Sequence, residues 1–127
     1  MKQKQMTLAI VSLLLVGLVV FGLVSCHNSN KKWQLAKADF EQKATQTIRY
    51  YGPSIKESYV NSAAVGIKVD PERWNNSDSS TQRTFLEEVC KLLEADAETS
   101  GILEYLDVHI TFRNGDEVIN QIVIKGK

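Results

Sequence analysis

The chain is short of the residues that build reactive centres: among 127 positions there are two histidines and two cysteines. Neither two histidines nor one histidine with both cysteines meets the spacing of a zinc site. His27 directly follows Cys26 in a polar stretch, where a side chain is not held to the tolerance that a site needs. His109 falls on the polar positions of an alternating run and reads as a solvated strand residue. The seven glycines form no phosphate-cradling run. Ser54 and the serines at 77, 79 and 80 have no histidine and aspartate beside them, and helix capping accounts for them. Glu87 and Glu88 point apart on a helix, and Asp70 and Glu72 sit in a loop, so no pair of carboxylates is set up for acid and base work. The expectation is a non-enzymatic protein with no catalytic residue, metal or cofactor.

Net charge is also lacking. Fifteen basic residues balance 15 acidic ones, and setting aside Lys2 and Lys4 leaves 13 against 15. Without a strongly basic face, nucleic acid is not an expected partner. The balance is uneven along the chain: His27–Lys56 holds six basic residues against Asp39 and Glu41, whereas from Glu57 onward seven basic face 13 acidic. A basic segment near the N-terminus suits anionic headgroups, although a solvated helix face and tether is the simpler reading.

What the chain does have is one long uncharged, mostly apolar run, Thr7 to Val24, behind Lys2 and Lys4. A short basic head, an apolar stretch and a small residue before a cysteine are the layout of an export signal. The tetrapeptide Leu23-Val24-Ser25-Cys26 resembles the lipobox of bacterial lipoproteins. That resemblance covers Met1 to Cys26 and implies a thioether-linked diacylglycerol on Cys26, cleavage before it, and often N-acylation of the new terminus. Two or three acyl chains, at roughly 0.8 kcal/mol per buried methylene, anchor a domain far more firmly than one. It also implies a place in the bacterial cell envelope, with the domain outside the cytoplasm. His27 is not the aspartate that retains enterobacterial lipoproteins at the inner membrane. The alternative is an uncleaved single span, since about 18 apolar residues suffice to cross a bilayer. In either case membrane lipid is a partner, through acylated Cys26 or through residues 7–24.

The rest divides into a tether and one domain: residues 1–25 form the signal or anchor, 26–32 a short polar tether, and 33–127 a single α+β domain. If Cys26 is acylated, Cys90 is left without a disulfide partner, and its place in a helical apolar pattern reads as a small buried hydrophobe. Trp33, Ala36, Phe40, Ala44, Ile48 and Tyr51 recur at three- and four-residue spacing, which predicts a helix from about Trp33 to Tyr50, ended by Gly52-Pro53. Ser54-Ile55-Lys56-Glu57 has capping-box spacing and predicts one further turn. Val65, Ile67 and Val69 alternate with Ala64, Gly66 and Lys68, predicting a first strand between Ala63 and Val69. A loop from Asp70 to Asp78 follows, then a helix from about Ser80 to Ala97 whose Ser79 and Gln82 have capping-box spacing, with Gly101 as its stop.

Val108, Ile110 and Phe112 alternate with His109, Thr111 and Arg113, and Asn114-Gly115 supplies hairpin chemistry. The return strand, Glu117 to Lys125, faces the core with Ile119 and Val123 if the loop has two residues. A three-residue bulged loop instead presents Val118, Ile122 and Ile124, with Asn120 inward; the bulged form, which gives the core three apolar residues, is favoured. The expected order is helix, strand, helix, strand, strand: a small, mainly antiparallel sheet packed on helices, with the first two strands parallel.

The loop centred on Arg73 and Trp74 is the candidate binding surface, because these residue types are enriched at binding hot spots. The simpler reading is that Trp74 folds back as a lid on the core. The free edge of the sheet is a second candidate, by strand addition, although Lys125 and Lys127 look like edge protection. The reading that follows is a small envelope lipoprotein whose domain binds another envelope protein. A module for a small apolar ligand is the alternative of another class.

Overall fold

A computed structural model describes the backbone from Val24 and the side chains from Lys31 to Lys127. Of the predicted signal or anchor, residues 1–25, positions 1–23 therefore lie outside the described residues, as does the side chain of Cys26. Among the described residues no helix is long and apolar enough to cross a membrane.

The elements are α1 (Val24–Tyr50), β1 (Ile55–Asn61), β2 (Ala64–Val69), α2 (Pro71–Asn75), α3 (Ser79–Ser100), β3 (Val108–Asn114) and β4 (Glu117–Ile124), with single 3-10 turns at Gly52–Ser54 and Ile102–Glu104. The class is α+β. The sheet order is β1-β2-β3-β4, with antiparallel outer pairs and a parallel β2–β3 pair at the centre. The two strands expected to run parallel are thus direct neighbours, joined through α2 and α3.

Residues 26–32 carry helical backbone and α1 begins at Val24, earlier than the apolar spacing implies. That stretch holds no glycine or proline to stop a helix, and its Asn, Ser and Lys residues cost only tenths of a kcal/mol each in helical form. From Trp33 onward α1 has the expected face. Ala36, Phe40, Ala44 and Ile48 are buried, and Trp33 is half-buried against Tyr105, ring centroids 5.5 Å apart.

The sheet has one strand more than the sequence predicts. Ser54–Glu57 does not open a helical turn; the chain extends at Ile55 and β1 pairs with β2 from Ile55↔Val69 to Asn61↔Ala64. Only Ile55 and Val60 of β1 are even half-buried, so the strand carries no apolar alternation to read. Its turn is unusual: Ser62 holds φ of 55°, the single non-glycine with positive φ among the described residues. Glu41 of α1 accepts a hydrogen bond from the Ser62 N–H at 2.8 Å, which ties the helix to the turn.

Helix α3 starts one residue earlier than expected, because the cap is Asp78 and not Ser79. Its carboxylate accepts from the Thr81 N–H at 2.7 Å, and that bond holds the Asp78 carboxyl below its ordinary pKa. Gly101 ends the helix at φ 83°, in the left-handed region that favours glycine. The loop after β2 contains a turn of helix, α2, begun by Pro71 and capped by Asp70.

In β4 the loop is Gly115-Asp116, and the extra residue sits within the strand: Phe112 faces Asn120, yet Arg113 faces Val118. Ile122, Ile124 and Asn120 share the core face as the bulged reading expects. Val118 does not join them, because the bulge at Ile119 turns it outward, and Ile119 packs on the core margin instead. The core is one cluster between helices and sheet, built on Phe40, Ile67, Leu93, Ile110 and Phe112. Each such side chain contributes about 1.5–3 kcal/mol on full burial.

Candidate functional site

The predicted pair, Arg73 and Trp74, sits on α2. Trp74 is half-buried and meets Phe85 edge-on at 6.2 Å, and Phe85 meets Phe112 at 6.4 Å, so the indole continues an aromatic row out of the core. Gln82 Nε2 donates to the Trp74 carbonyl at 2.8 Å. This is the geometry of a lid. Arg73 is exposed, and the cleft it shares with Trp74, Ser77 and Gln82 encloses only about 90 Å³. Asn75 of the same helix accepts from Asn114 Nδ2 at 3.0 Å, which docks α2 on the end of β3.

A larger groove, about 740 Å³, runs between α1 and α3. Most of its polar groups answer one another. Thr47 donates to Asp96, Lys43 pairs with Asp39 at 3.1 Å and donates to Thr99 at 3.3 Å, and the Tyr51 hydroxyl reaches Glu88 at 3.4 Å. Burial, and then the Glu88 charge, raise the Tyr51 pKa, so the hydroxyl keeps its proton and acts as the donor. The groove reads as a satisfied seam between helices.

The face of the sheet away from the helices is different. Strand alternation turns Tyr59, Gly66, Lys68, His109, Thr111 and Arg113 outward, and among the described residues no helix covers them. Tyr59 lies opposite Gly66 in the β1–β2 ladder, and its ring rests on the glycine backbone. A Cβ added at Gly66 would fall 2.0 Å from Tyr59 Cε2, so only glycine admits the ring in that position. Beside it, Glu57, Tyr59, Lys68, Thr111 and Arg113 line a basin of about 330 Å³.

Lys68 and Glu57 pair loosely there, at 3.8 Å and with both side chains well exposed, a contact of little strength. Arg113 remains the uncompensated charge. Its Nε is buried and has no hydrogen-bond partner among the described residues, a state that typically costs about 1–3 kcal/mol. A carboxylate seated in the basin would pair with the Arg113 guanidinium, keep Lys68 within reach, and stack its own chain on Tyr59.

His109 is exposed on this face, as the alternation predicts. Cys90 is half-buried at the core margin, and burial, with Glu94 nearby, pushes its thiol up to about 11, which makes it a poor nucleophile at neutral pH. Among the described residues no three histidines, cysteines or acidic residues gather as metal ligands. The basin escaped sequence reasoning because Tyr59 stands in a strand that carries no alternation. One signal was present: Gly66 stands between Val65 and Ile67 within the strand pattern, and glycine inside a strand marks a place of close approach.

Compared with known families, with curated proteins and with solved structures, the chain matches none.

Proposed function

We propose that this chain is a small membrane-tethered envelope lipoprotein, acylated at Cys26, whose domain is a non-enzymatic protein-binding module using the outward face of its sheet. The anchor rests on the lipobox-like Leu23-Val24-Ser25-Cys26 alone. The binding face rests on one observation: an uncovered sheet surface where Tyr59 lies flat on Gly66 beside the unpartnered Arg113 Nε. The partner this chemistry fits is a protein segment that brings an acidic side chain to Arg113 and apolar or planar surface to Tyr59. An apolar small ligand would need room between helices and sheet, and that layer is filled by Phe40, Ile67 and Phe112.

The test uses the full-length chain in its native membranes, with a photoreactive residue at Thr111. Protein adducts that disappear with Arg113→Ala and persist with Arg49→Ala support the face. Adducts indifferent to Arg113, or no more abundant than those from exposed Gln42 on α1, count against it. Intact mass of the same material, with and without Cys26→Ser, reads the anchor: acyl mass and loss of residues 1–25 are expected, and full-length mass without acyl groups points to the uncleaved span.

A further inference from the structure

The two edges of the sheet are built differently. β1 is short of apolar residues, carries Lys56 and Glu57, and has an irregular register between Ile55 and Glu57, all devices that discourage pairing. Within β4 the stretch from Val118 to Ile124 has no charged residue, and Val118 and Val123 are 44% and 48% exposed. Charge returns only at its ends, acidic at Asp116 and Glu117 and basic at Lys125. Read antiparallel against itself about Gln121, the segment is self-complementary: Glu117 meets Lys125, Val118 meets Ile124, Ile119 meets Val123, and Gln121 meets Gln121.

From this we infer that β4 pairs antiparallel with β4 of a second copy about a two-fold axis at Gln121, joining two sheets into one of eight strands. A two-fold normal to the sheet keeps both helical layers on one side and both outward faces on the other. Asn120 and Ile122, which share the core face, then lie opposite each other across the axis. The bulge at Ile119 shifts the ladder by one residue beyond Asn120, and with or without that shift Lys125 falls beside Asp116 or Glu117 of the other copy. Glu117 has no ion-pair partner among the described residues, while Lys125 reaches Asp107 at 3.3 Å with its side chain 80% exposed and is free to swing. The apolar margin continues into a groove of about 600 Å³ where Leu86, Cys90 and Ile122 stay half-exposed beside β4, and a second copy would cover it. The pairing extends the proposed function without depending on it, because it uses an edge and not the outward face.

The experiment is disulfide trapping of the full-length chain in membranes, in a Cys90→Ala background. Residues directly opposite in a ladder have Cβ atoms about 4.5–5.5 Å apart, close to the reach of a disulfide. Gln121→Cys is therefore expected to shift from monomer to dimer on mild oxidation. Val118→Cys, whose copies the axis places roughly 20 Å apart, and Tyr59→Cys on the other edge are expected to stay at the level of the background chain. Equal trapping at all three positions, or none at Gln121→Cys, overturns the pairing. Charge reversal gives a second reading on exposed residues. Glu117→Lys should loosen self-association roughly fivefold, the size expected of two exposed cross-strand ion pairs, and adding Lys125→Glu should restore it. Single and double reversals that behave alike overturn it as well.

Discussion

The two faces of the sheet are made by the same strands and obey opposite rules. Inward, Val65, Ile67, Val69, Val108, Ile110 and Phe112 are all within 1% of complete burial, and all but Val69 share one core cluster with Phe40, Val89 and Leu93 from the helices. Outward, one residue away in each case, stand Gly66, Lys68, His109, Thr111 and Arg113. Inward positions are decided by volume, since every neighbour is in contact and cannot relax freely. Outward positions carry polar and charged groups whose arrangement adds little to stability, so their chemistry is available for recognition. The difference teaches that Arg113, whose Nε has no hydrogen-bond partner among the described residues, is informative on the outer face, where the arrangement of charge adds little to stability.

That contrast can be broken most sharply from the inside. Phe112→Ala removes a fully buried ring that also supports Phe85 and is expected to cost about 3–5 kcal/mol, read from chemical denaturation. A loss no larger than that of Thr111→Ala, its neighbour on the other face, would mean that the two faces are not packed differently. The next effect has the opposite sign and lies at the turn joining β1 and β2. Ser62→Gly relieves a positive φ and should stabilise by up to about 1 kcal/mol, less whatever the freer unfolded chain takes back. A clear destabilisation would imply that the Ser62 side chain, and not its backbone conformation, matters.

Acid sensitivity separates packing from charge. Asp107 is held below its ordinary value of 3.8 chiefly by the Gly126 N–H at 2.6 Å and then by Lys125. A folded-state pKa that is depressed favours the ionised native form. This stabilisation is complete above the unfolded value and fades as pH falls through the lower folded one. Asp107→Asn should therefore lower the Tm at neutral pH and flatten its decline below about pH 4, an outcome checked by melting across the acid range. Equal acid slopes in both proteins would assign the decline to other carboxylates.

The smallest expected change in stability is the most telling for the outer face. Gly66→Ala should alter stability by less than about 1 kcal/mol, because the group it strikes is the swinging end of an exposed tyrosine. It should nonetheless drive the Tyr59 ring off the sheet, read as loss of NMR contacts between the ring and residue 66. Retained contacts would mean that the backbone yields instead, and the basin beside Arg113 would have to be redrawn.

Much of the inner face was legible in advance, and little of the outer. The burial of Ala36, Phe40, Ala44 and Ile48, and of Val65, Ile67 and Val69, follows from period alone, since each run has one partner surface to satisfy. β1 was not legible, because an edge strand that buries almost nothing needs no apolar pattern. The cap of α3 was misplaced by one residue, as Asp78 and Ser79 are both good capping residues and only geometry chooses between them. Arg73 and Trp74 stood out by type, while the residues on the uncovered face stood out only once their strands were paired.

By itself the sequence determined the elements whose side chains repeat with a period: two helical faces, two core strands and a hairpin, together with the expectation of an anchored chain drawn from Leu23-Val24-Ser25-Cys26. Tertiary structure decided the fourth strand, the parallel contact of β2 with β3, the bulge that turns Val118 outward, and the meeting of Tyr59 with Gly66. The physical reason is range. Periodicity records what one segment does against an averaged surface, whereas strand pairing, register and the seat of one ring on one glycine depend on residues far apart in the chain, which only folding brings together.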